Sequence, residues 1–373
     1  MSRKFQVAYF AHAVRSDWNN GNAHFLRGLL RSLGQCGHEV QIYEPEDGWS
    51  ISNLHQEERG AESLRKFAQI YPDLHVNAYP ASDVSTGASD RWRQALRGAD
   101  IVILHEWNPP ELAHLLLGLR DELGFKLMFH DTHHRASSSP EQIRLFGTDH
   151  FDGVIAFGEA LRTIYRDRFN IQRVWTLHEA ADTTVFRPQP DVSKSHDVVW
   201  IGNWGDDERS MEICQFLLRP AGELRKRHFA IYGVRYPKDA LRALESAGVE
   251  YGGYLPNLDG PSSYAASRLT MHIPRQQYVG AMAGIPTIRV FEALACGVPL
   301  ISAPWPDIER LFREGDFCFV RDTRESIAAI ERLLTDKKAA AEQASRGLET
   351  LLARHTCMHR AHELTAICEE VIQ

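Results

Sequence analysis

Short runs of β-branched and aromatic residues recur through the first half of the chain, at 7–10, 40–43, 101–104, 126–129, 154–157 and 174–177. Each is strand-sized, and apolar runs bounded by polar segments predict strands buried on both faces. Between the first two, Phe25, Leu26, Leu29, Leu30 and Leu33 hold one apolar face at helical spacing over 23–33, and Gly37 supplies the stop. Strand–helix–strand repetition predicts a parallel sheet with helices on both faces. The pattern breaks at 186–195 (FRPQPDVSKS), where two prolines and small polar residues mark a linker. It restarts with strands predicted at 197–201, 229–232, 270–273, 299–302 and 317–320, and helices at 290–295 and 326–334. Two doubly wound α/β domains therefore fit better than one large sheet. Their predicted bounds are 1–187 and 188–355, with a last helix over 356–373 expected to pack back on the first domain. Ligands of such sheets bind at the carboxyl ends of the strands, and a cleft between two such domains is a natural active site.

Composition narrows the class without changing this picture. The 373 residues are 43% hydrophobic and 24% charged, which excludes a disordered or fibrous chain. A net charge of −7 argues against a nucleic-acid partner, whose usual signature is a strongly basic face. The N-terminal apolar run is too short for a secretory leader, and no stretch is long enough to span a bilayer. Basic residues between Arg162 and Arg168 offer at most weak peripheral contact with a membrane, and a solvated helix face accounts for them as well. Cys36, Cys214, Cys296, Cys318, Cys357 and Cys368 are scattered without a CxxC pair, as expected of reduced thiols in a cytoplasmic protein.

The most informative segment is 284–300, GIPTIRVFEALACGVPL. A loop of Gly284, Ile285, Pro286 and Thr287 opens a short helix, whose first turn offers backbone N–H groups to an anion. Arg289 at the helix entry suits a bidentate phosphate contact. Glu292, one turn in, suits two hydrogen bonds from a vicinal diol such as a ribose. Gly297 is placed for a left-handed cap before the next strand. A plain loop–helix–strand unit would look much the same, because a carboxylate near a helix start is worth only about 0.3–1 kcal/mol.

The segment resembles the nucleotide-sugar signature of retaining GT-B glycosyltransferases of the family 4 type. It is most similar to the branch related to the spore maturation protein CgeB, in which an Arg-x-Phe-Glu-Ala-x-Ala-Cys-Gly core is typical. Three other segments resemble the same enzymes and extend the similarity over almost the whole chain: 19–25 (NNGNAHF) the first glycine loop, 181–188 (ADTTVFRP) the exit from the acceptor domain, and 199–210 (VWIGNWGDDERS) the opening of the donor domain. The resemblance implies two Rossmann-like domains, the first binding acceptor and the second a nucleoside-diphosphate sugar, with closure excluding water. It places Gly21, Asn22, Gly202, Asn203, Arg209, Tyr254 and Arg275 with 284–287, Arg289 and Glu292 around the donor. There is one departure. Family 4 enzymes carry two glutamates eight positions apart; Glu292 matches the second, but the first falls on Gly284. Nucleotide anchoring carries over, whereas the sugar and the stereochemical outcome stay open.

For the chemistry, the resemblance puts His130, at the end of a predicted strand, near the transferred sugar, where it could orient a hydroxyl or assist acceptor deprotonation. Asp131 follows it, and Glu106, in HEWN, is a second candidate for acceptor contact or base. The run FHDTHHR at 129–135 invites a metal, but its spacing matches no standard zinc site. No Asp-x-Asp triplet occurs, so arginines and helix starts would stabilise the diphosphate leaving group. The expectation is a metal-independent transferase with no cofactor beyond its sugar-nucleotide co-substrate. Two rivals share the architecture: a sugar-nucleotide 2-epimerase and a non-catalytic sugar-nucleotide-binding protein.

Overall fold

In a computed structural model, which describes residues 3–84 and 88–373, two all-parallel sheets account for the strands. Met1 and Ser2, at the head of the segment read for a leader, fall outside this range. The first sheet contains β1 (Gln6–Phe10), β2 (Glu39–Pro45), β3 (Val76–Tyr79), β4 (Ile101–His105), β5 (Lys126–Asp131), β6 (Gly153–Ala156) and β7 (Val174–Thr176), in the order β3-β2-β1-β4-β5-β6-β7. The second contains β8 (His196–Ile201), β9 (Phe229–Tyr232), β10 (Val249–Tyr251), β11 (Ser267–His272), β12 (Leu300–Ser302) and β13 (Cys318–Phe319), in the order β10-β9-β8-β11-β12-β13. Both sheets reverse direction beside their first strand. That leaves a crevice beyond the carboxyl ends of β1 and β4 in one sheet and of β8 and β11 in the other.

The central strands form where residues are apolar on both faces. β4 and β6 are buried throughout, and β8 feeds Val198 and Trp200 into a core with Ile231, Leu269, Met271 and Ile301. β3 and β10 escape the apolar-run criterion because they are edge strands, half exposed. β4 and β5 end in buried polar residues, His105, His130 and Asp131, so two fully covered strands deliver ionisable groups to one edge.

The chain divides into a unit of Met1–Glu179 with Cys357–Gln373 and a unit of Ala180–Thr356. This differs from a boundary at 187/188. Ala181 bridges Thr356, its N–H donates to the His355 carbonyl (3.0 Å), and Phe186 is buried against Gly260, so 180–187 pack with the second unit. Pro188 lies beside Gly297 in that same unit. The helix Cys357–Ile372 packs on the helix Ala23–Gln35, and His38 Nε2 meets Thr365 Oγ1 at 2.8 Å. All six cysteines are free thiols, and among the described residues no helix is long and apolar enough to cross a membrane.

Candidate functional site

At the carboxyl edge of the second sheet three arginines converge. Arg209 follows the loop leaving β8 and folds back across Gly205, whose positive φ (+83°) and missing side chain admit it; a Cβ there would lie 2.7 Å from Arg209 Nε. Its guanidinium sits over the Trp200 ring at 5.1 Å and donates to the carbonyls of Asn203 (2.6 Å) and Ile273 (3.3 Å). Its Nε is buried without a hydrogen-bond partner among the described residues. Desolvation, with Arg275 and Arg289 acting through space, lowers its pKa to about 9. Arg275, leaving β11, pairs with Glu208, which also accepts from Gln277 (3.1 Å). One carbonyl-bound arginine next to two carboxylate-paired ones is an excess of positive charge at the point where the sheet reverses. An anion would relieve it.

The loop at 284–287 and the helix Ile288–Ala295 complete this edge. Gly284 has φ +103°, and a Cβ there would approach Ile308 Cβ to 3.3 Å, so a glutamate would be strained in this backbone. Ile285 and Pro286 are buried, so only their backbone can face a ligand. Thr287 is the N-cap residue but makes no side-chain cap; its Oγ1 instead meets His272 Nε2 at 3.1 Å, while His272 Nδ1 meets Ser302 Oγ at 2.9 Å. His272 is buried, and burial with Arg209 nearby lowers its pKa to about 3.

Glu292 takes a different position from the surface diol acceptor that the motif suggests. It is fully buried and accepts from Arg289 Nη1 (2.5 Å), Asn257 Nδ2 (3.1 Å) and Tyr264 Oη (3.2 Å). Burial opposes the charge on Arg289, but Glu292 and Tyr264 outweigh it and hold its pKa above the ordinary arginine value. Glu292 thus fixes the Arg289 guanidinium, which keeps about a quarter of its side chain exposed.

Gly202, Asn203 and Tyr254 lie on the loops leaving β8 and β10, at the same edge. The Gly202 carbonyl accepts from Tyr236 Oη (2.8 Å), and Asn203 Oδ1 accepts from the Val234 amide (3.2 Å). Gly233, after β9, comes so close to Gly202 that a Cβ would sit 2.1 Å from its carbonyl oxygen.

In the first unit the corresponding edge collects histidines. His130 is buried, with Nδ1 2.7 Å from Tyr9 Oη and Nε2 without a partner among the described residues; burial lowers its pKa to about 3. His105 Nε2 lies 3.0 Å from Thr132 Oγ1, and Asn22 Nδ2 donates to that hydroxyl at 2.7 Å, which ties the loop before the first helix to the end of β5. His12 Nδ1 lies 3.3 Å from His105 Nδ1, with its pKa lowered to about 3 by burial and by Arg135. His105 is lowered well below the ordinary range by burial and then by His12, His130 and Arg135 close by. These imidazoles are neutral at pH 7.

The carboxylates behave differently. Glu106 pairs with Arg135, which also covers the Trp107 ring at 4.0 Å. Burial and then Asp131 raise its pKa well above the carboxylate range. Asp131 accepts from Tyr165 Oη (2.6 Å) and the His133 amide (2.9 Å), so it is held by its own unit's interior, and burial raises it too. His130 and Asp131 close β5 and Glu106 directly follows β4, all at the expected edge, but none is exposed. His12, Trp107 and His133 carry the accessible surface there. His12 was missed by sequence reasoning; its signal was its place just after β1, beside the point where the strand order reverses. Gly21 is part-exposed in the loop before Asn22. Within the 129–135 run, His133 and His134 lie ring against ring at 3.9 Å, whereas His130 turns away to Tyr9, and His134 Nδ1 meets Ser138 Oγ at 2.9 Å.

Residues 209–366 match a family model described as glycosyl transferase-like. No curated protein matches the sequence. Among solved structures the chain is similar to Anabaena HepE in complex with UDP and glucose, at TM-score 0.72 and 14% identity over 98% of this chain and 100% of that one. It is similar to sucrose-phosphate synthase from Thermosynechococcus elongatus, at TM-score 0.68 and 14% identity over 99% of each. A variant of S. aureus TarM, in complex with fondaparinux, α-GlcNAc-glycerol and UDP, aligns at TM-score 0.67 and 11% identity over 98% of this chain and 99% of that one. The likeness establishes the fold: two parallel-sheet α/β units of the GT-B glycosyltransferase kind.

Proposed function

We propose that this chain is a glycosyltransferase whose second unit binds a nucleoside-diphosphate sugar. The observation that carries the reading is the convergence of Arg209, Arg275 and Arg289 at the carboxyl edge of the second sheet. The helix start at Thr287, with no side-chain cap, adds to it. The glycosyl transferase-like match over 209–366 begins at one of these arginines and spans the other two. A diphosphate leaving group gains negative charge as the glycosidic bond breaks, and fixed guanidinium groups aimed at it stabilise that change without reorganising. Arg209 and Arg289 take the phosphates. Glu292 acts as a positioning residue for Arg289, and contact with a ribose would require it to exchange one of the donors it holds. Tyr254 and the Gly202–Asn203 turn border the base and ribose.

In the first unit, the acceptor hydroxyl meets the edge formed by His12, His105 and His130. Neutral imidazoles there can accept a hydrogen bond from that hydroxyl and orient it, but with the His12 and His130 pKa values held near 3 they are weak proton acceptors. Glu106 holds Arg135 against Trp107. With arginines serving the diphosphate, the reaction needs no divalent ion. The resemblance of 284–300 to the CgeB-like branch of family 4 favours retention at the transferred carbon, and the acceptor class is open.

The test is sugar-nucleotide turnover, followed by NMR, with and without candidate glycan, lipid-linked and small-molecule acceptors, repeated in EDTA. Acceptor-dependent release of nucleoside diphosphate that survives chelation is expected. Acceptor-free isomerisation would identify an epimerase, binding without turnover a non-catalytic receptor, and chelator-sensitive transfer would refute the metal-free mechanism.

A further inference from the structure

At the opposite side of the second sheet, His196 opens β8, His228 immediately precedes β9, and Glu250 lies in β10. One ligand atom from each falls within 4.8 Å of the other two. His228 Nε2 is 2.8 Å and His196 Nε2 3.7 Å from Glu250 Oε2, and the two rings lie 4.7 Å apart. The remaining ring nitrogens are occupied: His228 Nδ1 is 3.0 Å from the Ser195 carbonyl, and His196 Nδ1 is 2.8 Å from Ser195 Oγ.

A carbonyl only accepts, so His228 Nδ1 carries a hydrogen. In the neutral ring, Nε2 then presents a lone pair to a carboxylate oxygen. Two acceptors at this distance need a cation between them, either a proton or a metal ion. An imidazole whose second nitrogen donates to a backbone carbonyl is the usual outer arrangement of a metal-binding histidine, fixing tautomer and ring orientation. Two imidazoles and one carboxylate form a zinc donor set, with metal–ligand distances near 2.0–2.2 Å. Tetrahedral geometry separates such ligand atoms by about 3.3 Å. The separations of 2.8 and 3.7 Å bracket this value. His228 and Glu250 are about half exposed, so small side-chain rotations can close the difference, and the fourth position faces water.

We propose that His196, His228 and Glu250 bind one divalent transition-metal ion, zinc suiting the donor set best, which ties β10 through β9 to β8. β10 has only three residues and forms one edge of its sheet, so its ladder alone holds it weakly. The ligands lie toward the amino ends of β8 and β9, away from the arginines at the carboxyl ends. The ion is therefore structural, and its presence is independent of sugar transfer.

The experiment is equilibrium dialysis of the untagged full chain against zinc chloride, with metal counted per chain, together with thermal unfolding. One zinc per chain and a rise in Tm on the order of 5 °C at saturation are expected. His228→Ala and Glu250→Gln should each weaken binding at least tenfold and abolish the zinc-dependent rise. Their metal-free Tm should match the wild type, which excludes a folding defect as the cause. His133→Ala, in the other unit, should keep the bound zinc. Absence of saturable zinc, or zinc retained by His228→Ala and lost by His133→Ala, would overturn the proposal.

Discussion

Arg209→Met separates ligand affinity from stability. In the free protein this guanidinium is desolvated, and its pKa falls from the ordinary arginine value to about 9. A base whose pKa is depressed by folding costs stability wherever it must stay charged, here at every pH below about 9. The cost disappears only above its unfolded value of about 12.5. Methionine removes that cost, but also two bonds to carbonyls and the contact with Trp200. Hydrogen bonds to a charged group are worth about 1.5–3 kcal/mol net, and the ring contact about 0.5–2 kcal/mol. These oppose the relieved desolvation, so ligand-free stability should change by no more than about 3 kcal/mol. The bound state has no such compensation. Loss of one or two charge-assisted bonds to a diphosphate weakens Kd by about 10- to 100-fold, at about 1.4 kcal/mol per factor of ten. Arg209→Lys should fall between, keeping charge but losing the planar fork. Calorimetric titration of UDP, beside the ligand-free Tm of each variant, reads both effects. Wild-type affinity in a folded Arg209→Met protein would refute a phosphate role for this arginine.

Two further outcomes follow from the same geometry. Arg289→Ala takes from buried Glu292 its guanidinium partner and leaves the neutral donors Asn257 and Tyr264, so it should cost about 3–5 kcal/mol, and Glu292→Gln in that background should recover part of it. Denaturant unfolding would read this, and a stability loss below about 1 kcal/mol would contradict the buried pairing. Acid should unfold the chain early. His12, His130 and His272 have pKa values near 3, and His105 lies well below the ordinary value of about 6.5. Their full contribution is present above that value and is lost as pH falls toward 3, each group costing up to about 1.4 kcal/mol per pH unit. Tm measured from pH 7.5 to 4.5 should drop steeply below about 6, and a flat profile to pH 5 would show that the imidazoles are not held neutral.

Most of the fold was legible because most of its strands are central. Where both faces are covered, as at Ile101–His105 or Phe229–Tyr232, an apolar run marks the strand directly. At the edges the signal fades: Val249–Tyr251 exposes Glu250 and Tyr251, so its alternation is too short to read. The extra 180–187 segment of the second unit was hidden because Pro188 and Pro190 look like a linker, whereas burial of Phe186 and pairing of Ala181 decide the matter. At the site, residue types were readable and their partners were not. Arg289 and Glu292 were legible as a helix-start pair, but Asn257 and Tyr264 come from distant segments, and only folding shows Glu292 saturated by them. The glycine at 284 was equally opaque until its φ of +103° showed that a side chain there is disfavoured.

The central claim is that the second unit recognises a diphosphate, and comparative titration of UDP and UMP against the wild-type chain tests it most directly. Three arginines and a helix start should favour UDP by at least about tenfold, one phosphate contact being worth about 1.5–3 kcal/mol. Equal affinities, or no binding of either nucleotide up to millimolar concentration, would contradict the account.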